Sequence, residues 1–383
     1  MTYILAALVV SFIVTLLIIR VYLARVHAPS HFTERRRADW LRALSSRGLR
    51  RAGGIGVAAG LLISLLARMV DESPIAPVVA RIGLTMLVSA APVFVAGLME
   101  DLTGRMGITS RLIAALVSAA CAGVMLDAWI VRVDVPLFNV ALGMPFFSVM
   151  FTCLLVAGIT NAFNIIDGFN GLAAGVASLI LIGIAYVAFK VNDVAVLVAA
   201  LTAVGAILGF MLLNFPRGLI YLGDGGAYLL GFWIGVLLVL LVGRNQEVSA
   251  WFPVLLCSYP VCELLFSIYR RVIVRRVHPG LPDAAHLHHL IYKRLVRWLV
   301  GTDLQAHKTQ RNALTAPYLW IITSIGVAPA VAFWKSTVAL QIGCAIFAAA
   351  YVYGYTRIVK FRAPRWWVLR KSHRQNTDAS GEN

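Results

Sequence analysis

The stretch NAFNIIDGFNGL at 161–172 sets Asn161, Asn164, Asp167 and Asn170 three residues apart, with apolar runs on both sides. GLMEDLTGR at 97–105 adds the adjacent carboxylates Glu100 and Asp101, and GDGG at 223–226 adds Asp224. HLHH at 286–289 supplies His286, His288 and His289, in a segment that also holds Arg270, Arg271, Arg275, Arg276, Lys293 and Arg294. Carboxylates and carboxamides are hard oxygen donors that suit Mg2+, imidazoles among arginines suit phosphate, and the two together point to phosphoryl transfer.

Each motif also has a plainer reading. An acidic pair at a helix end is commonly a solvated boundary, and GDGG is a tight-turn sequence as readily as a ligand shell. HLHH could hold a transition metal, but no cysteine or spaced second pair completes a zinc set, and its basic surroundings read as an anion site. On a continuing helix Asn161, Asn164, Asp167 and Asn170 would share one face, where unpaired polar groups are costly. Gly168 and Gly171 imply that the helix breaks there and exposes backbone, so the row is expected to line a pocket at the membrane boundary. Glu263, near the inner end of a later apolar run, is expected to be neutralised by a neighbouring arginine.

The elements that must carry these residues are membrane spans. Of 383 residues 60% are hydrophobic and 13% charged, with a mean hydropathy of +0.83, which excludes a soluble domain of this length. Apolar runs at about 3–20, 52–70, 82–99, 112–130, 144–163, 171–189, 194–214, 226–243, 251–269, 316–334 and 336–356 predict an all-α polytopic protein of about 11 transmembrane helices. The alternation in VRVDVPLFNVALGMP at 131–145 predicts a small outer strand or hairpin. The five cysteines all lie inside apolar runs without a CxxC pair and read as buried small hydrophobes.

Basic residues set the orientation. Arg20, Arg25 and the Arg35-Arg36-Arg37 cluster follow the first run, so it should insert uncleaved with its N-terminus outside, leaving the C-terminus cytoplasmic. In that topology 28 of the 34 Lys and Arg fall in inner segments and the other six are scattered singly outside. The net charge of +17 is therefore a positive-inside signature with attraction to anionic lipid, and no nucleic-acid partner is implied. All the polar motifs then open on the cytoplasmic face. The chain reads as a single integral membrane domain over 1–383, with no internal repeat, and a cytoplasmic tail at 357–383 whose RAPRWWVLRKSHR has the composition of an interfacial anchor.

These motifs resemble the signatures of the polyprenyl-phosphate N-acetylhexosamine-1-phosphate transferases of glycosyltransferase family 4. NAFNIIDGFNGL is similar to the family's NxxNxxDGxDGL signature. An acidic pair after the third span, GDGG after the seventh and HLHH in the long loop after the ninth follow in the family's order, and RAGGIGV at 51–57 is similar to its glycine pair opening the second span. The resemblance covers about 50–300, and HLHH without a peptide-binding insert is more similar to the sugar-phosphate branch than to the pentapeptide branch.

The resemblance implies transfer of an N-acetylhexosamine-1-phosphate from a UDP-sugar to undecaprenyl phosphate with release of UMP, the first membrane step of a cell-surface glycan pathway in a bacterial inner membrane. It implies Mg2+, or Mn2+ in its place, on Asn164 and Asp224, with Asp224, Asp101 and Glu100 catalytic, although Glu100 stands where the family has Asp. It implies UDP-N-acetylhexosamine contacts from Asn161, Asp167, Asn170 and Arg111, with His286, His288 and His289 on the diphosphate. A homodimer is compatible with the resemblance. The alternative class is a transporter or flippase of nucleotide-sugar or lipid-linked sugar, but transporters place polar groups near the midplane in paired broken helices, and here the acids sit at inner helix ends.

Overall fold

The computed structural model describes residues 1–26, 48–276, 285–296 and 305–360. The Arg35-Arg36-Arg37 cluster and the tail segment RAPRWWVLRKSHR lie outside the described residues. Those described form helices α1 (Thr2–Val26), α2 (Gly53–Met69), α3 (Ala76–Thr103), α4 (Ile108–Leu126), α5 (Pro136–Leu142), α6 (Pro145–Ile166) and α7 (Leu172–Lys190). After these come α8 (Val194–Asn214), α9 (Gly223–Arg244), α10 (Phe252–Leu256), α11 (Ser258–Tyr269), α12 (Leu287–Ile291), α13 (Gln305–Ala332) and α14 (Thr337–Val359).

Among the described residues nine helices are long and apolar enough to cross a membrane. Each of the eleven apolar runs falls on helix, but two of them make less than a full-length span. The second, α2, has 17 residues, and the ninth is divided at Cys257 into α10 and α11. Pro260 explains the division: without an N–H it cannot donate to the carbonyl of Leu256, one turn earlier.

The core is the apolar helix α9, buried from Gly225 to Val242 and packed against α2, α3, α6 and α7. A helix that is apolar all round belongs at the centre of a bundle, with amphipathic or lipid-facing helices around it. α1 packs on α2 and α8, and Ser64 donates to the carbonyl of Tyr3 at 2.6 Å. α14 is peripheral, against α10, α11 and α13.

The expected outer strand at 131–135 is absent, and no strand occurs among the described residues. Its backbone partners are side chains and carbonyls of other segments instead of a second strand. Asp134 stands at φ 55°, outside the β region, Pro136 starts α5, and the N–H of Val133 donates to Asn139 Oδ1 at 2.8 Å. The Arg132 guanidinium spreads over the carbonyls of Val242, Asn245, Gln246 and Val248. Asp134 accepts from the Ala250 N–H at 2.7 Å and from Ser249 Oγ at 3.1 Å. This network ties the α9–α10 connection to the end of α4, opposite the acidic motifs.

Candidate functional site

The acidic pair ends α3, and its two members do different work. Asp101 is buried and accepts the N–H of Asp224 on Oδ1 and that of Gly225 on Oδ2, each at 3.0 Å. One carboxylate thus fills two of the donors that the first turn of α9 leaves without intrahelical partners. It also fixes where α9 begins. Arg51, just before α2, reaches Asp101 Oδ1 at 3.9 Å. Glu100 turns to its own loop, where Oε2 accepts the Met106 N–H at 2.8 Å.

Glycines let these helix ends meet. A β-carbon on Gly97 would stand 2.5 Å from the backbone of Gly225, so α3 and α9 touch main chain to main chain. Gly223 sits at φ 78°, and a β-carbon there would meet the Arg51 carbonyl at 1.9 Å and Asp101 Oδ2 at 2.6 Å. Only glycine allows the GDGG turn to enter α9 at this point.

Asp224 projects half-buried and pairs with Arg111 of α4, Nη1 to Oδ2 at 2.7 Å. Asp167 caps the C-terminal end of α6. Burial, then the charges of Asp224 and Asp101, push its carboxyl up to about 8, against the pull of Arg51 and the Gly223 N–H. The three carboxylates therefore act on one another with too little positive charge beside them to ionise all three. Among the described residues no group of three His, Cys, Asp or Glu side chains is placed to hold a metal ion by itself, so a hard cation here would rest on one or two carboxylates and its own waters.

The polar row from 161 to 170 does not stay on one face. α6 ends at Ile166, and Gly171 at φ 72° precedes α7, so the helix breaks at the glycines as the sequence implies. Asn161 Nδ2 donates back to the Ala157 carbonyl at 2.8 Å. Asn164 is half-buried one turn before Asp167, and its carbonyl accepts the Asp167 N–H at 3.3 Å. Asn170 is buried, its N–H on Asn312 Oδ1 at 2.7 Å and its Nδ2 on the Pro216 carbonyl at 3.1 Å, while Oδ1 has no partner among the described residues. Asn214 and Trp320 clamp the next residue, taking the Gly171 N–H at 2.6 Å and donating to its carbonyl at 3.1 Å.

The histidines come to the same turn from the far end of the chain. A β-carbon on Gly168 would lie 3.2 Å from His288 Nε2, and Phe169 packs edge-on against His288 and His289 with centroids 5.7 and 5.9 Å away. Tyr292 lies 5.1 Å from the same phenyl ring, under the Arg311 guanidinium. The partners of Glu263 are not arginine, as its sequence setting suggested, but His286 Nδ1 at 2.9 Å, the Leu287 N–H at 2.8 Å and the Tyr351 hydroxyl at 2.8 Å. Arg270 instead donates to the Tyr355 hydroxyl at 2.8 Å.

Sequence reasoning singled out neither Arg51, Asn214, Asn312 nor Tyr351. Arg51 had a signal in RAGG, whose Gly53 and Gly54 N–H groups donate to the carbonyls of Tyr221 and Leu222 at 3.0 and 2.9 Å. Asn214 and Tyr351 are single polar residues in apolar helices and Asn312 lies in the polar first turns of α13, with no motif to mark any of them.

Residues 83–242 match the family model described as glycosyl transferase family 4. Among curated proteins, the chain is 33% identical over 172 residues to a probable undecaprenyl-phosphate N-acetylglucosaminyl 1-phosphate transferase of Bacillus subtilis, covering 41% of this chain and 48% of that protein. It is 28% identical over 214 residues to an undecaprenyl-phosphate alpha-N-acetylglucosaminyl 1-phosphate transferase of Thermotoga maritima, covering 54% and 61%. It is 32% identical over 228 residues to a decaprenyl-phosphate N-acetylglucosaminephosphotransferase of Mycolicibacterium smegmatis, covering 54% and 52%. The chain spans about half the length of the curated relatives it matches. The matched stretch runs from α3 to α9 and contains Asp101, Asp167 and Asp224, so the similarity to glycosyl transferase family 4 covers the acidic motifs.

Proposed function

We propose that the chain transfers an N-acetylhexosamine-1-phosphate from a UDP-sugar to undecaprenyl phosphate, releasing UMP, on the cytoplasmic side of a bacterial inner membrane. The observation that carries this reading is the placement of Asp224 by Asp101 beside Arg111, with Asp167 close enough to feel both carboxylates. The names of the relatives, which act on undecaprenyl or decaprenyl phosphate, supply the acceptor class.

In the proposed reaction an oxygen of the lipid phosphate attacks the β-phosphorus of the donor. The bond from that phosphorus to the bridging oxygen breaks, and UMP leaves with the electron pair. A phosphate monoester has a second pKa near 6, so the acceptor is largely a dianion at neutral pH, and the products carry the same total charge as the reactants. No proton has to move. The barrier then lies in bringing two anions together and in the charge developing on UMP, which positioning and fixed positive groups lower.

Arg111 supplies one such group and the HLHH segment a surface for the diphosphate. Asp101 holds the first turn of α9, and Asp167 and Asn170 shape the nucleotide side of the turn. Mg2+, or Mn2+, held by Asp224 and Asn164, would supply a further positive charge beside the leaving group.

The test is UMP release from purified protein given undecaprenyl phosphate and a panel of UDP-sugars, with and without Mg2+. UMP formed only when both substrates and the divalent cation are present supports the reading. Turnover without acceptor, or vesicle uptake of UDP-sugar without UMP, would sink it.

A further inference from the structure

Glu263 is a buried carboxylate, 2% exposed, that the reaction above leaves unused. A charge at that depth persists only when its oxygens are filled. Oε1 accepts from His286 Nδ1 and the Leu287 N–H, and Oε2 accepts from the Tyr351 hydroxyl. A carboxylate can only accept, so it places a proton on His286 Nδ1. His288 Nδ1 lies 4.0 Å from the same Oε1. Both Nδ1 atoms therefore face Glu263, and both Nε2 atoms lie on the opposite ring edges. The two rings are stacked, centroids 5.3 Å apart and 4° from parallel, and His288 Nε2 is the atom turned to Gly168.

We propose that Glu263 is a positioning residue of the donor site: it orients His286 and, through the stacked rings, His288, so that His288 Nε2 faces the Asp167–Gly168 turn, where the diphosphate of the UDP-sugar is held. The inference rests on the proposed function, in which HLHH binds that diphosphate. Glu263 touches no substrate and acts only through the imidazoles, as carboxylates behind functional histidines do elsewhere. Tyr351 fixes the other oxygen and keeps the carboxylate from turning away.

The test is a double-mutant cycle on the full-length protein in detergent with Mg2+, reading the Kd of UDP-N-acetylglucosamine by calorimetry and kcat and KM by UMP release. Glu263→Gln is isosteric and removes the charge that orders the rings. Kd and KM are expected to rise about tenfold, the usual scale for losing the group behind a ligand histidine, with kcat nearly unchanged. His288→Ala should weaken binding similarly, and the double variant should be no worse than the worse single, because both changes break one path. Tyr351→Phe, which keeps the apolar contacts of the ring, is the second variant should Glu263→Gln fail to fold. It should raise Kd about threefold, and that effect too should vanish in the His288→Ala background. Wild-type affinity in Glu263→Gln, or losses that multiply in the double variant, overturns the positioning role while a weak His288→Ala keeps the histidine reading. Wild-type affinity in His288→Ala overturns both.

Discussion

Asp101→Asn separates a positioning carboxylate from a general base. The side chain is held by two backbone N–H groups of α9 at 3.0 Å each, with Arg51 at 3.9 Å. Asparagine keeps one oxygen for one of these donors and sets its own NH2 against the other. The exchange gives up a charge-assisted bond and leaves a buried N–H unfilled, a loss of about 2–3 kcal/mol. If that strain displaces Asp224 in the reacting geometry, the rate falls by about 30- to 100-fold at 1.4 kcal/mol per decade. The assay is UMP release by purified enzyme from pH 5.5 to 8.5, with limited proteolysis of the same preparations. The expected result is a uniformly lower kcat, an unchanged rising limb near pH 6 that belongs to the lipid phosphate, and greater protease sensitivity at the α3–α4 loop. An Asp101→Asn enzyme within about threefold of wild type would refute the clamp, and a profile that loses its rising limb would show a base instead.

Asp224→Asn should lower turnover more than a hundredfold, about 3 kcal/mol, with wild-type membrane insertion, because it removes the exposed anion of the pocket and leaves Arg111 unpaired; near-normal UMP release would take Asp224 out of the site. Asp167 gives a pH prediction: with its folded pKa raised to about 8, the cation-free protein loses stability as pH rises from the unfolded carboxylate range through 8, and Mg2+ binding near pH 7 should release a proton. Calorimetry in buffers of different ionisation enthalpy reads that proton, and a Asp167→Asn variant should not release it. On the opposite face, burial is outweighed at Asp134 by the Ala250 N–H and Arg132, which hold it below the usual carboxylate range. Its contribution is present above about pH 4 and lost as pH falls through the folded value, so Asp134→Asn should destabilise by about 2 kcal/mol at pH 7 and by little at pH 3, read by thermal inactivation. For topology, a cysteine at Arg105 should label only from the cytoplasm and one at Glu247 only from outside; the reverse pattern would invert the proposed orientation.

Much of this was legible in the chain because membrane helices announce themselves by length and composition. All eleven apolar runs are helical, and the breaks at 167–171 and 257 follow from Gly168, Gly171 and Pro260, residues visible in the sequence. The strand misread at 131–135 shows the limit of periodicity. Three alternating valines are not enough when an Arg and an Asp between them have partners more than a hundred residues away. The partners of Glu263 were illegible for the same reason, lying 23 and 88 positions off. A nearby arginine was the plausible guess, but a helix's neighbours in space, not in sequence, decide which donor fills a buried carboxylate. Asn170 is subtler: its spacing put it in the polar row, and only the break at Gly168 sends it under the 214–218 loop, where it holds backbone.

The tethers also indicate which part of the pocket can exchange partners. Asp101 is fixed by α9, Gly171 by Asn214 and Trp320, and Asn170 by Asn312 and Pro216. Each of these bonds joins a side chain to main chain, and breaking one would leave a buried group unfilled. The Arg111–Asp224 pair is of another kind, both side chains about one-fifth exposed and each able to be rehydrated. A pair that water reaches from one side is worth less than an enclosed one, so parting it costs less than breaking the buried tethers. In the proposed reaction the donor arrives with both of the charges needed to replace it, a diphosphate for Arg111 and a divalent cation for Asp224. The pair then keeps the two groups ready, mutually neutralised and aimed at one point, on a frame of helix ends that does not have to move.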